Sequence, residues 1–289
     1  MSNKDRFTCS NCGSPFAESS RLCPGCNSDL GFPNVRAAEK PEEVEAVRQR
    51  CVDAEVSAKA RKCESILLQF GEAVKQSKAV INRDIGVVSA LVSNDNALYS
   101  TFYHSVEAQA RLPEDNPFDR SRSSIDSTLF PLYHKEMRFA ALSLDGRGLQ
   151  KYGGLTMVLK EDIIKHRATV FEENSMDFCR RQKLVVGSPV PSGYRTVWNK
   201  RDELATAKLH SLLTATTSPK EFPKLLLKSG DGKTTDEFIE VHIYGSFNRR
   251  GIDRIVGTMP KSRVDKVLLK SIRTKLKEFG GTMDVDQPL

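Results

Sequence analysis

The stretch DEFIEVHIYGSF, residues 236–247, has the clearest strand pattern in the sequence. Successive side chains of a strand point to opposite faces, so the centre of this stretch separates into two sets. One set is branched and apolar and needs a core, whereas the other brings a carboxylate, an imidazole and a phenol together. Such a polar face belongs either to an ordinary solvated strand or to the wall of a cleft that performs acid–base chemistry. The two sets are Ile239, Val241 and Ile243, and Phe238, Glu240, His242 and Tyr244.

The segments around this strand mix short strands with short helices. Because strands outnumber helices and the connections are short, the pattern favours an α+β fold over a doubly wound sheet. The sequence contains no GxGxxG, Walker A or HExxH motif. The predicted strands are 138–144, 155–159, 167–171, 184–186, 224–227 and 238–244, and the predicted helices are 161–166, 200–213 and 263–279.

Four of the seven cysteines form two Cys-x-x-Cys pairs near the N-terminus. Each pair suits a tight turn that holds two thiolates, and four thiolates in a tetrahedral array bind Zn²⁺. A segment this short cannot fold by burial alone, so a metal has to hold it together. The spacing predicts a structural zinc ribbon over residues 1–32, closed to catalysis because no coordination position remains for water. The predicted ligands are Cys9, Cys12, Cys23 and Cys26.

Apolar residues recur at helical spacing over residues 42–78 and again over 79–110. The pattern predicts a helical hairpin, which serves as a packed structural element or as a docking surface for a partner. Residues 112–128 contain two prolines and many Ser, Asp and Arg, which predicts a domain boundary or a mobile loop. We therefore expect three units: a zinc ribbon at 1–32, a helical hairpin at 42–111 and a catalytic domain at 129–289.

The composition of the 289 residues is that of a folded protein, with 39% hydrophobic and 28% charged residues. No run of about 18 apolar residues occurs and the N-terminus lacks a signal-peptide pattern, so we expect a cytoplasmic protein without a membrane partner.

The net charge of +7 favours acidic partners. Residues 249–277 hold ten Lys or Arg and two acidic residues, which indicates either a surface for RNA or DNA or a solvated amphipathic helix.

Two stretches resemble a diverged ADP-ribosyltransferase domain of the bacterial toxin type. They are LSLDGRGLQKYGGLTMVLKEDIIKHRATVFEENS, residues 142–175, and the strand segment at 236–247. The resemblance, which covers about half the chain, implies a split-sheet α+β fold that grips NAD in a cleft and transfers its ADP-ribosyl group. It also implies a toxin or phage-defence effector that modifies nucleic acid or a nucleic-acid-associated target, with an antitoxin or a regulatory protein as a partner.

The family has an Arg or His on an early strand, a Ser or Thr on a middle strand and a Glu on a late strand. In this chain the resemblance assigns the early role to Arg138, with His134 as the competing candidate. It assigns the middle role to Thr169 or Ser175, and the late role to Glu240. The family's Glu hydrogen-bonds the nicotinamide ribose and stabilises the oxocarbenium-like transition state.

The resemblance thus implies that Glu240, Arg138 and Ser175 are catalytic, and that Tyr152 or Tyr244 stacks on the cationic nicotinamide ring. Many family members carry a second Glu two positions before the catalytic one, and this chain has Phe238 there. A single Glu without that partner is found in members that do not modify arginine. The residues expected to bind NAD are Arg138, Ser143, Tyr152, Arg167, Thr169, Asn174, Ser175 and His242.

Two other functions compete with this one. A metal-dependent nuclease would use Asp236, Glu240 and His242 to hold Mg²⁺. A non-catalytic zinc-ribbon adaptor would only bind nucleic acid through its basic C-terminal region.

Overall fold

The computed structural model describes residues 7–100, 103, 117–232 and 235–286 and shows a mixed sheet with helices on both faces. Among these residues, no helix is both long enough and apolar enough to cross a membrane. The helices are α1 (Pro33–Ala38), α2 (Pro41–Ala60), α3 (Glu64–Lys75), α4 (Ile85–Val92), α5 (Pro117–Leu129), α6 (Glu161–Ile164), α7 (Ser175–Arg181), α8 (Arg201–Leu209), α9 (Phe222–Leu226) and α10 (Arg263–Lys277). The strands are β1 (Phe7–Thr8), β2 (Pro15–Phe16), β3 (Lys78–Arg83), β4 (Met137–Ser143), β5 (Leu155–Leu159), β6 (Ala168–Phe171), β7 (Arg195–Val197), β8 (Leu227–Lys228), β9 (Glu237–Phe238), β10 (Glu240–Tyr244), β11 (Ile252–Thr258) and β12 (Thr282–Asp286).

Eight strands form one sheet in the order β12-β11-β5-β3-β4-β10-β6-β7. Neighbouring strands are antiparallel except β11 and β12, which run parallel. The α+β class is therefore confirmed. The predicted split into two sheets is wrong for the described residues, because β3 pairs with both β5 and β4 and makes the sheet continuous.

Strand β10 is buried on both of its faces. Val241 and Ile243, together with the preceding Ile239, are fully buried in the main core. We call the sheet surface that carries them the core face; residues of α3, α4, α8 and α10 pack against it. The opposite surface, which we call the second face, carries Glu240 and His242, and α5 and α7 cover it.

The helical hairpin predicted for 42–111 is wrong from residue 78 onward. Helices α2 and α3 are present, but Lys78–Arg83 forms β3 in the middle of the sheet. Its residues Ala79, Val80 and Ile81 are all buried because the sheet is covered on both faces. A continuous apolar run of this kind lacks the alternation that distinguishes a strand from a helix. After β3 the helix α4 covers Ile85–Val92, while 101–102 and 104–111 lie outside the described residues.

For the segment 112–128, predicted as a domain boundary or a mobile loop, the loop is wrong where the structure describes the chain. Residues 117–128 belong to α5, and 112–116 lie outside the described part of the chain. Pro117 is the first described residue of this helix, and proline is tolerated in a first turn because N–H groups there have no intrahelical partner.

The other predicted elements divide into those present and those absent. Seven of them correspond to observed elements within a few residues, apart from an interruption at Ile239. These are the strands at 138–144, 155–159, 167–171 and 238–244 and the helices at 161–166, 200–213 and 263–279. The strand predicted at 184–186 is absent, and that at 224–227 is mostly the helix α9. A capping box of Ser218 and Glu221 starts the helical turn that leads into α9, so local capping outweighs the apolar pattern there. The sequence pattern does not indicate β7, β11 or β12.

The N-terminal ribbon is fastened to the sheet through α1. The Arg36 guanidinium donates to four ribbon carbonyls at 2.6–2.9 Å, those of Glu18, Ser20, Leu30 and Gly31. The next anchor is Asn34, which is buried and donates to the carbonyls of Arg167 (3.0 Å) and His242 (3.3 Å). The ribbon is thus joined by hydrogen bonds to the strand that carries Glu240.

The burial of β3 predicts a large effect of truncating its central side chain. Ile81, 2% exposed, is expected to lower the free energy of unfolding by about 2–5 kcal/mol when changed to Ala, measured by urea denaturation. Val87→Ala, at an α4 position that is 47% exposed, is the control and is expected to cost much less. An Ile81→Ala loss as small as that of the control would show that residues 78–83 are not a central strand.

Candidate active site

A carboxylate, a hydroxyl and an imidazole meet on the second face. Oε2 of Glu240 accepts from the backbone N–H of Ser175 at 2.9 Å and also from the Ser175 hydroxyl. Nε2 of His242 lies 3.0 Å from the same Oε2 and 3.1 Å from Ser175 Oγ. The exposed fractions of Ser175, Glu240 and His242 are 4%, 6% and 2%, so the three form a hydrogen-bonded cluster shielded from solvent. We call it the Glu240 cluster.

Local structure explains how Ser175 reaches Glu240. Strand β6 pairs with β10 in antiparallel register, with Phe171 opposite Glu240, and α7 begins shortly after β6 ends. Asn174 caps that helix, and its side chain accepts from the N–H groups of Met176 (2.9 Å) and Asp177 (3.3 Å). With those two donors satisfied by the cap, the N–H of Ser175 is directed at the carboxylate.

Three aromatic rings enclose the imidazole of the Glu240 cluster. The ring centroids of Phe130, Phe171 and Phe139 lie 4.8, 5.3 and 5.4 Å from that of His242. Phe130 follows directly after α5, and the other two lie on the strands that flank β10. Electrostatic interactions are stronger in such a low-dielectric environment than in water, so the cluster can act strongly on a charge that develops beside it.

A small cavity adjoins His242. It has a volume of about 10 Å³, which is room for roughly one water molecule. Thr169, which lies opposite His242 in the β6–β10 register, contributes to its wall. The other lining residues are Asn34, Leu129, Phe130, Tyr133, Phe171 and Arg195.

Helix α5 brings a second buried carboxylate to the second face. Asp126, 4% exposed, accepts from the hydroxyl of Tyr103 at 2.8 Å and lies 3.5 Å from Nε of Arg122. Burial raises the pKa of Asp126 to about 6, although Arg122 and Tyr103 act to lower it and Glu240 acts to raise it further. The sequence offers no signal for this residue, because it lies in a segment rich in Ser, Asp and Arg that is typical of a loop.

The structure does not bring Arg138 to the Glu240 cluster. Arg138 pairs with Ile243 across the β4–β10 ladder, so its side chain leaves the sheet on the core face, opposite Glu240. Its guanidinium donates to the carbonyl of Glu136 at 2.5 Å and lies 3.5 Å from the Glu136 carboxylate. The competing candidate His134 lies in the helical turn before β4, with its ring centroid 5.1 Å from that of Tyr103.

The remaining predicted NAD-binding residues mostly hold the backbone in place. Ser143 closes the turn after β4 by donating to the carbonyl of Arg147 at 2.7 Å. Arg167 donates to the carbonyls of Ile163, Tyr244 and Ser246 at 2.7–2.9 Å, so its guanidinium binds main chain.

The two predicted stacking residues lie at different places. Tyr152 packs on the second face against the cluster that contains Ala141 and Phe238, and burial raises its pKa to about 12. Tyr244 lies at the ribbon end of β10, where its ring centroid is 5.5 Å from that of Phe32.

The four ribbon cysteines fit a zinc ion. The Sγ atoms of Cys9, Cys12, Cys23 and Cys26 all lie within 4.8 Å of one another. The Cys9–Cys26 and Cys12–Cys23 sulfurs are 3.7 and 3.5 Å apart, close to the spacing of about 3.8 Å that tetrahedral Zn–S bonds of 2.3 Å produce. Hydrogen bonds from the Ser28 hydroxyl and from backbone N–H groups lower the pKa of Cys9 to about 6, which favours the thiolate.

The proposed nuclease site does not assemble. Asp236 is paired with Lys151, whose Nζ lies 2.7 Å from its carboxylate, and it also accepts from the N–H of Gly230 at 2.9 Å. Within the described ranges, the ribbon cysteines are the one group of three or more Cys, His, Asp or Glu side chains close enough to share a metal. The prediction that Asp236, Glu240 and His242 hold Mg²⁺ is therefore wrong.

Comparison with known proteins gives a distant structural likeness. No protein family profile matches the chain, and no curated protein matches it in sequence. Among solved structures it is similar to the DarT protein of Thermus sp. 2.9 in complex with ADP-ribosylated ssDNA. That likeness covers 73% of this chain and 94% of DarT, at 11% identity and a TM-score of 0.35.

The ribbon geometry predicts one zinc ion per chain. Cys23→Ser removes a buried ligand and is expected to abolish stoichiometric zinc, measured by elemental analysis of the purified protein. Cys179→Ser, at a buried cysteine in α7, is the control and should retain the metal. Equal zinc content in both variants would exclude the ribbon as the zinc site.

The raised pKa of Asp126 predicts a pH-dependent stability. The carboxyl has a pKa of about 6 in the folded protein and about 3.9 in the unfolded chain. At a pH between these two values, Asp126 is mostly protonated in the folded state and mostly ionised in the unfolded state. Relative to Asp126→Asn, the free energy of unfolding of the wild type should fall by about 2 kcal/mol as the pH rises from 4 to 7. Urea denaturation at several pH values measures the difference, with Asp253→Asn as the exposed control. A difference that stays flat with pH would contradict this assignment.

Proposed function

We propose that this protein is an ADP-ribosyltransferase that uses NAD, and that Glu240 is the residue acting on the nicotinamide ribose. The observation that carries the proposal is the buried contact of Glu240 with Ser175 and His242. Ser175 and Glu240 are 65 positions apart in the chain. They lie in the two stretches whose sequence resembles the toxin-type transferases, and in both cases they are the side chains to which that resemblance gives a catalytic role.

The chemistry suits a buried carboxylate. The bond between C1′ of the ribose and the nicotinamide nitrogen breaks, and nicotinamide leaves as a neutral molecule with the bonding electron pair. The acceptor nucleophile then bonds to the cation-like C1′ and releases a proton. A carboxylate positioned in advance beside C1′ stabilises this charge most strongly where water is excluded. The contacts of Ser175 and His242 with Glu240 fix its carboxylate in a buried place, which supports this role.

Binding of NAD requires movement of the elements that cover the second face. The cavity of about 10 Å³ beside His242 is far smaller than a nicotinamide ribose. Phe130, at the end of α5, lies against His242, and Leu129 forms part of the same cavity wall. Outward displacement of α5 would uncover Glu240 and His242 together, and it would also expose Asp126.

A serine hydrolase is a poorer fit to the same three residues. In a catalytic triad the acid binds the imidazole nitrogen opposite the one that contacts the serine. Here both Ser175 and Glu240 contact Nε2 of His242. Ser175 also donates to Glu240, so its hydroxyl is held by the carboxylate rather than activated by the imidazole.

We place the reaction in the cytoplasm, as that of a toxin or defence effector whose acceptor is nucleic acid or a nucleic-acid-associated molecule. The sequence resemblance and the net charge of +7 support this extension. A zinc-binding thiolate cluster also suits a reducing compartment.

Incubation of the full chain with labelled NAD and candidate nucleic acids tests the proposal. Glu240→Gln keeps the shape of the side chain and removes its charge, so we expect release of nicotinamide to fall by about 10²- to 10³-fold while the unfolding transition persists. Glu237→Gln is the matched control, because Glu237 is exposed and its carboxylate lies 3.3 Å from Lys228 at the surface.

Two outcomes would overturn the assignment. Nicotinamide release by Glu240→Gln at the rate of the Glu237→Gln control would remove Glu240 from the reaction. Absence of NAD turnover in the wild type with RNA, DNA and protein acceptors would favour the non-catalytic zinc-ribbon adaptor.

A further inference from the structure

Helix α10 presents a row of cations to solvent. Its basic residues at 263, 266, 270, 273 and 277 are spaced alternately three and four positions apart, which places them along one side of a helix. All five are exposed. The row extends over about 21 Å, with neighbouring charges about 5 Å apart along the helix axis. We call it the basic stripe, and it consists of Arg263, Lys266, Lys270, Arg273 and Lys277.

The charge of the basic stripe is not neutralised by the protein around it. In the described ranges none of the five side chains has an ion pair. Asp265 is the single acidic residue of α10. The acids on the neighbouring strand β12 already have partners, since Asp284 lies 3.3 Å from Arg254 and Asp286 lies 2.6 Å from Arg147.

The other side of α10 is committed to the core. Leu269, Ile272 and Leu276 are buried in the main core on the core face of the sheet. An amphipathic helix that binds a membrane inserts its apolar side between lipids, and these three side chains are not available for that. The large apolar side chains of α10 that are exposed are Val264 and Val267, at 69% and 63%, and two valines are too few for a lipid-inserting side. The packing therefore favours a polyanion bound by charge over a lipid surface.

The stripe also lacks features needed to bind single strands. Proteins that bind single-stranded nucleic acid combine cations with aromatic rings on which bases stack, and α10 contains no aromatic residue. Duplex DNA encloses its bases and presents one negative charge per about 1.7 Å of axis when both strands are counted. A 21 Å length of duplex therefore carries roughly a dozen phosphates, and the row of cations faces those on one side. From these observations we infer that the basic stripe binds the phosphate backbone of double-stranded DNA without sequence preference.

This surface is separate from the Glu240 cluster. Helix α10 packs on the core face, whereas Glu240 lies on the second face, and β12 and β11 are at the opposite edge of the sheet from β6 and β7. DNA held by the stripe is thus an anchor for the protein and does not need to be its acceptor. The inference stands without the proposed function, because binding is measured in the absence of NAD.

The test is equilibrium binding of the full chain to a labelled DNA duplex of about 30 base pairs, measured by fluorescence anisotropy at several salt concentrations. Five phosphate contacts predict that the affinity falls on the order of 10²- to 10³-fold between 50 and 200 mM salt. The triple variant Lys266→Gln, Lys270→Gln and Arg273→Gln should weaken binding at least about 10-fold at low salt. It should also reduce the slope of log affinity against log salt by about 2.7.

A second triple variant provides the matched control. Lys59→Gln, Lys62→Gln and Lys220→Gln remove the same charge from exposed positions outside α10 and should leave the affinity nearly unchanged. If both variants weakened DNA binding equally, the effect would depend on net charge alone and not on the basic stripe, which would overturn the inference. Tighter binding to the separated strands, or to vesicles containing phosphatidylserine, than to the duplex would overturn it as well. NAD turnover of the stripe variant is expected to equal that of the wild type with a small acceptor, so failure of DNA binding leaves the proposed function untouched.

Discussion

Glu240 and His242 are buried on a strand that is covered on both faces, and this constrains the structure around them. A buried polar group without a hydrogen-bond partner costs about 1–3 kcal/mol, and a buried charge costs more. Bulk water does not reach the two side chains, which are 6% and 2% exposed, so the protein has to supply most of their partners. Ser175 meets the requirement with both its backbone N–H and its hydroxyl, which the Asn174-capped start of α7 brings to the carboxylate.

The same constraint links distant parts of the chain. Strand β10 receives the Ser175 contact on its second face, while the Asn34 side chain donates to its backbone at His242. Asn34 belongs to α1, and Arg36 of that helix holds the zinc ribbon by its carbonyls. The ribbon is therefore not an independent module but is joined to the sheet through α1. The position of α1 in turn affects the backbone of the strand that carries the Glu240 cluster.

The two charged regions of the molecule face different media. On the second face, three phenylalanine rings enclose His242 beside the Glu240 carboxylate, and a low dielectric there strengthens the action of the carboxylate on a nearby cation. Cations on α10 are open to solvent, where they act at longer range and are screened by salt. The two proposals thus assign attachment to a polyanion to α10 and chemistry to the enclosed Glu240 cluster.

Local pattern alone determined three features: the cysteine spacing that brings four sulfurs together, the alternation that separates the faces of β10, and the cation spacing of α10. Each depends on residues that are close in sequence, where chain geometry dictates which side chains are neighbours. Tertiary structure decided the rest. Ala79–Ile81 became a central strand because helices cover both of its faces, and Arg138 was separated from Glu240 because it pairs with Ile243. Strand register and the covering of each face arise from contacts between distant segments, which alternation within one strand does not specify.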